Sequence, residues 1–119
     1  MPKMPHLFLK GRSRTLKSPE ATLMAFGVIE MQSFLNNCCN LMRMHPIALP
    51  LVVKCLEHKP GVSGLLLIEE SHIAAHTFWD TGEIYFDAFS CKPFNINEVK
   101  KFVADTFGVE ILESEVKLR

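Results

Sequence analysis

Four consecutive aliphatic residues, Leu65-Leu66-Leu67-Ile68, run straight into Glu69-Glu70-Ser71. The run does not alternate, so a strand built from it calls for cover on both faces. A chain with such a strand needs a sheet around it and other elements packed against that sheet. Its polar end holds titratable side chains on a rigid element that is still open to solvent.

The other segments are consistent with that requirement. Residues 21–28, ATLMAFGV, read as a short buried strand. A helix follows over about 29–43, where Met31, Phe34, Leu35, Cys38, Leu41 and Met42 form one stripe at 3.6-residue spacing. Pro46 and Pro50 bar a central strand, so the next ladder starts near Leu51. Lys59-Pro60-Gly61 is a turn. Residues 71–82 read as a loop closed by Asp80-Thr81-Gly82, and a strand follows at about 83–90. Asn95 or Asn97 caps a second helix that Gly108 ends. In the last strand Leu112, Ser114, Val116 and Leu118 oppose Glu113, Glu115 and Lys117. The pattern predicts an α+β two-layer sandwich, an antiparallel or mixed sheet with helices on one face. The other face needs cover, for which a second subunit is the natural candidate.

Charge divides the chain unevenly. Lys3, Lys10, Arg12, Arg14 and Lys17 fall in residues 1–19, where there is no acid, although the 119-residue chain as a whole is neutral. Residues 1–19 read as a flexible basic arm, and residues 20–119 as a single domain. The overall balance does not indicate a nucleic-acid binder. No long apolar stretch follows the basic residues, so a secretory signal is not expected, and no window reaches the length of a membrane span. A cytoplasmic protein fits. Cys38, Cys39, Cys55 and Cys91 form no C-x-x-C pair, and the histidines lack paired-ligand spacing, so neither a disulfide framework nor a metal is expected.

Candidate chemistry concentrates between Ser63 and Cys91. Ser71 and His76 are close enough in sequence for a loop reversal to join them, and Asp80 or Asp87 is available as an orienting acid. The plain readings stand beside this one: Ser71 as a turn residue, His72 as a residue flanking a strand, His76 as a structural histidine, Cys91 as a small core side chain. Cys91 reaches Ser71 only if strands 64–69 and 83–90 are not neighbours. Glycine-rich nucleotide loops, H-E-x-x-H and G-x-S-x-G are absent.

The stretch Gly61 to Cys91, GVSGLLLIEESHIAAHTFWDTGEIYFDAFSC, resembles the core of the prokaryotic pyruvoyl-dependent S-adenosylmethionine decarboxylases. The matching pieces are Gly61-Val62-Ser63-Gly64, Glu70-Ser71-His72, His76-Thr77, Gly82, Asp87 and Phe89-Ser90-Cys91, without a gap. The resemblance implies a proenzyme cleaved between Glu70 and Ser71, with Ser71 converted to the pyruvoyl cofactor that forms a Schiff base with substrate. It implies His76 as the processing base, Ser63 as a processing aid, Cys91 as the proton donor and Glu70 as the cleavage partner. Substrate contacts fall to Phe78, Asp80 and Glu70. The partners implied are a small amino-acid-type substrate and a second copy, in a homodimer of processed αβ units, with no metal. The product belongs to polyamine, and hence spermidine, synthesis.

The chain departs from the family pattern at Phe78-Trp79-Asp80, where the family reads Trp-Pro-Glu. Asp80 is one methylene shorter than glutamate, enough to alter substrate preference. Some relatives in the family resemble arginine or ornithine decarboxylases, so either amino acid is an alternative substrate, and a processing-inactive paralogue serving as a regulatory subunit is a further alternative.

Overall fold

Pro5–Ser13 alternates buried and outward-facing residues along its length and forms strand β1. It lies between two other strands, antiparallel to both. The basic-arm reading of residues 1–19 is corrected over Pro5–Ser13. Leu7 and Leu9 are fully buried, and Lys10 and Arg12 take the alternate positions of the same strand. Lys10 pairs with Glu83 at 3.3 Å and lies opposite Glu113. Period-two burial, rather than net charge, decides the fate of this segment. The computed structural model describes residues 4–14 and 26–119.

The remaining elements are helix α1 (Val28–Leu41), β2 (Leu51–Cys55), β3 (Gly61–Ile68), β4 (Ser71–Phe78), β5 (Glu83–Ser90), helix α2 (Ile96–Phe107) and β6 (Val109–Leu118). The six strands form one sheet in the order β2-β3-β4-β5-β1-β6, and every pairing is antiparallel. With both helices against one face, this is the α+β two-layer architecture expected.

The expected strand over 21–28 lies mostly outside the described residues, and Val28 already opens α1. The expected loop over 71–82 is instead strand β4 for most of its length. Its alternation is carried by Ile73, Ala75 and Thr77, which are buried, and by His72, Ala74 and His76 on the other face. Small and polar residues at the outward positions disguise the strand. The β3 expectation also changes: Leu66 and Ile68 are buried, whereas Leu65 and Leu67 are exposed on the face away from the helices.

Helix α1 lays Met31, Phe34, Leu35 and Cys38 on the sheet. Gly64 permits the approach, since a Cβ there would meet Met31 Cγ at 2.7 Å and Leu35 Cδ1 at 2.8 Å. The Phe34 ring contacts Phe26, Phe86, Phe102 and Phe107, joining both helices to the sheet. Asn95 caps α2 by accepting the Glu98 N–H, and Gly108 ends it in the left-handed region. Burial pushes the Cys38 thiol up to about 12, leaving it inert. Among the described residues no helix is long and apolar enough to cross a membrane.

Candidate active site

Strands β3 and β4 are joined by Glu69 and Glu70 alone, with Ile68 paired to Ser71 across the turn. A two-residue hairpin loop usually places positive φ on its own residues. Here the positive value falls on Ser71, at φ 154°. A residue with a Cβ held in this region stores about 1–3 kcal/mol of strain. The strain lies directly at the Glu70–Ser71 peptide bond.

Several contacts hold the chain around that bond. The Cys91 N–H donates to the Glu70 carbonyl oxygen at 2.8 Å. Glu69 donates its N–H to the His45 carbonyl at 2.8 Å, and Ile47 donates to the Leu67 carbonyl at 3.1 Å, so residues 45–47 run along the edge of the hairpin. The Glu70 carboxylate accepts from the His45 backbone N–H at 3.0 Å and approaches His45 Nδ1 at 2.8 Å. Lys92 Nζ lies 3.7 Å from the same carboxylate. The His45 ring and then its backbone hold the Glu70 carboxyl down to about 2. The Glu70 side chain, to which the resemblance also assigns a substrate contact, is buried and engaged by His45 and Lys92. Nitrogen and oxygen atoms of His45, Glu69 and Glu70 lie within 4.8 Å of one another. Both Glu70 oxygens are already engaged by His45.

On the open face a polar chain begins at Ser71. Its Oγ lies 3.2 Å from His72 Nδ1, His72 Nε2 lies 3.0 Å from Asp87 Oδ2, and Asp87 Oδ1 contacts His6 Nε2. The rings of His6 and His72 both border Phe89. Two members escaped the sequence reading. His6 falls in the segment expected as a basic arm, and His72 reads from the sequence as a residue flanking a strand. The available signal is alternation in Pro5-His6-Leu7-Phe8-Leu9 and, once 71–78 is a strand, the outward pairing of 72 with 89 and of 74 with 87, which sets His72 and Asp87 diagonally on one face.

His76 sits elsewhere. It lies opposite Ser63 on β3, and its Nδ1 is 2.7 Å from Ser63 Oγ. Five residues of strand separate it from Ser71, about 16 Å. The structure thus brings Ser63 to His76, and Cys91 to the Glu70–Ser71 bond, but does not bring His76 to Ser71 in the same chain. Strand β4 intervenes between β3 and β5, which is the arrangement that allows Cys91 to reach the bond. The Cys91 side chain is exposed.

Phe78 borders Tyr85 and Lys59 Nζ on the open face. With Asp80, Thr81 and Glu83 these residues line a hollow of about 340 Å³ at the far end of β4 from Ser71. Leu51, Val53, Leu65 and Leu67, which share this face, are 37–63% exposed. Exposed aliphatic side chains in a contiguous patch mark an interaction surface.

A family model for S-adenosylmethionine decarboxylase matches residues 27–119. The chain belongs to that family. Its resemblance to the prokaryotic pyruvoyl-dependent members agrees with the bacterial relatives found. The S-adenosylmethionine decarboxylase proenzyme of Geobacillus sp. (strain WCH70) is 33% identical over 54 residues, 45% of this chain and 44% of the relative. That of Syntrophomonas wolfei is 39% identical over 59 residues, 48% of this chain and 47% of the relative. These matches span less than half of either protein. The crystal structure of the adenosylmethionine decarboxylase from Aquifex aeolicus superposes with a TM-score of 0.77 at 16% identity, covering 99% of this chain and 91% of that one. At that identity the likeness concerns the fold.

Proposed function

We propose that this chain is a self-processing, pyruvoyl-dependent decarboxylase acting on S-adenosylmethionine. The observation that carries the reading is the strained Glu70–Ser71 bond, with a nucleophilic hydroxyl on one side and a carbonyl held by the Cys91 N–H on the other. Attack by Ser71 Oγ on the Glu70 carbonyl carbon converts the amide to an ester. The Cys91 N–H faces the oxygen on which negative charge develops, which is where a preorganised donor lowers a barrier most. Loss of the Ser71 α-proton then expels the Glu70 carboxylate, and hydrolysis of the resulting dehydroalanine leaves the pyruvoyl group and ammonia.

The local residues fit such a group. Cleavage relieves the φ of Ser71, and His45 and Lys92 keep the freed Glu70 end anchored. When present, the pyruvoyl carbonyl supplies an electron sink for decarboxylation. The exposed Cys91 thiol stands beside this position as the proton donor.

The reading includes a homodimer. His76 as processing base is about 16 Å too far along its own strand to reach Ser71. A two-fold axis through the open face near Ala74, midway between the two residues, exchanges their positions between subunits. It brings His76 and Ser63 of one subunit over Ser71 of the other and covers Leu65 and Leu67. Phe78 and Asp80 would likewise serve the partner's site.

The test is the intact mass of the denatured protein, fresh and after incubation. Two fragments divided between Glu70 and Ser71, the second carrying a pyruvoyl terminus, support the reading; a chain that never splits defeats it. Carbon dioxide release from S-adenosylmethionine, arginine and ornithine then distinguishes the substrates, a comparison made necessary by Phe78-Trp79-Asp80.

A further inference from the structure

The hydrogen-bonded chain Ser71–His72–Asp87–His6 has a defined direction. An ionised carboxylate only accepts, so the ring nitrogens facing Asp87 carry protons: His72 at Nε2 and His6 at Nε2. A neutral His72 then presents the lone pair of Nδ1 to Ser71 Oγ at 3.2 Å. This is the arrangement of a nucleophile, a base and an orienting acid, with the two imidazole nitrogens in exchanged roles. The acid is oriented in turn, because His6 holds its second oxygen. All three strands that carry the relay are paired side by side, β4 to β5 and β5 to β1. The side chains of His6, His72 and Asp87 are all about one third exposed or less, a partly dry setting that strengthens their contacts.

We propose that His72 is the base for the first processing step, the conversion of the Glu70–Ser71 amide to an ester, and that Asp87 and His6 are its positioning residues. The proposal rests on the self-processing reading and assigns its two proton transfers to different histidines. His72 Nδ1 takes the Ser71 hydroxyl proton as Oγ bonds to the Glu70 carbonyl carbon. The carbonyl electron pair moves to oxygen, where the Cys91 N–H donates. That pair returns, the carbon–nitrogen bond breaks, and the Ser71 nitrogen recovers the proton from His72. The step is an isomerisation and needs no oxidant, reductant or co-reactant. His76, delivered by the second subunit, is left for the elimination that follows.

An ester is cleaved by neutral hydroxylamine and an amide is not, so the two steps separate without any assay of decarboxylation. Wild type, His72→Ala, Asp87→Asn and His76→Ala are incubated, with and without hydroxylamine, and weighed by denaturing mass spectrometry. His72→Ala is expected to slow splitting by at least about 100-fold, the usual contribution of a positioned base, and to remain whole in hydroxylamine. Added imidazole should restore hydroxylamine-cleavable chain to His72→Ala. His76→Ala is expected to keep the full-length mass yet be cut by hydroxylamine. Asp87→Asn directs an amide N–H at His72 Nε2, moves the ring proton to Nδ1 and so also blocks ester formation; imidazole leaves it blocked. Should His72→Ala fail to fold by circular dichroism, Asp87→Asn carries the same comparison. Splitting at the wild-type rate, or ester accumulation, in the folded His72 or Asp87 variant overturns the proposal. A wild-type chain that stays whole and resists hydroxylamine overturns the processing reading itself, and this assignment with it.

Discussion

Glu70 is clamped by His45, whose backbone N–H and ring nitrogen engage separate oxygens of its carboxylate. These contacts lower the Glu70 carboxyl from its ordinary 4.5 to about 2. The folded value lies below the unfolded one. The resulting stability is therefore complete above about pH 4.5 and is lost as pH falls through about 2. In a Ser71→Ala background, which keeps the chain whole, Glu70→Gln should be less stable to urea at about pH 6, by a gap that narrows toward about pH 3. A gap that does not change with pH would show that the clamp does not depend on the charge.

Gly61 opens β3 against the β3–β4 pairing, and a Cβ there would lie 1.8 Å from the Thr77 carbonyl oxygen. The obstacle is backbone, which cannot rotate aside. Gly61→Ala should cost more than the roughly 1–3 kcal/mol typical of overpacking a core, or prevent folding. At Gly64 the nearest atoms belong to the side chains of Met31 and Leu35, not to backbone. Gly64→Ala should be the milder of the two. Equal denaturation midpoints would contradict this ordering.

Periodicity made much of this fold legible. The α1 stripe from Met31 to Met42, the Gly108 stop and strand 83–90 follow from local pattern, and the structure repeats them; of the two candidate caps, Asn95 and Asn97, it uses Asn95. Two strands were missed because their outward residues gave a misleading signal. In β1 the outward positions are His6, Phe8, Lys10 and Arg12, and their charge reads as a tail until Leu7 and Leu9 are counted separately. In β4 the outward Ala74 and His76 weaken the contrast with Ile73 and Ala75. Both errors erased the same piece of the site, since His6 and His72 become partners of Asp87 only when these strands flank β5. The Ser63–His76 pair is a cross-strand relationship and had no local signal at all.

The Cys91 side chain and backbone have separable jobs in the proposed enzyme. Its N–H faces the Glu70 carbonyl, whereas its side chain is exposed. Cys91→Ala keeps the N–H and removes the thiol. Splitting of the chain should proceed at close to the wild-type rate, while decarboxylation falls by about 100-fold or more, as for loss of a general acid. Mass spectrometry reads the first and carbon dioxide release the second. Equal loss of both would place the thiol in processing instead.

The separation of Ser71 from His76 along β4 makes the two-subunit site testable by mixing. Ser71→Ala cannot be cut, and His76→Ala lacks the base proposed for elimination. Each variant alone should stay at full length in the absence of hydroxylamine. Mixed, unfolded and refolded together, they form some dimers in which an intact His76 faces an intact Ser71. Only the His76→Ala chain carries that serine, so only its mass should divide, and at most about half of it for random pairing in equal amounts. An isotope label on one variant identifies which chain was cut. Division of neither chain, with mixed dimers demonstrated by native mass spectrometry, would rule out the exchange of His76 between subunits. Division of the His76→Ala protein by itself would remove His76 from the elimination step.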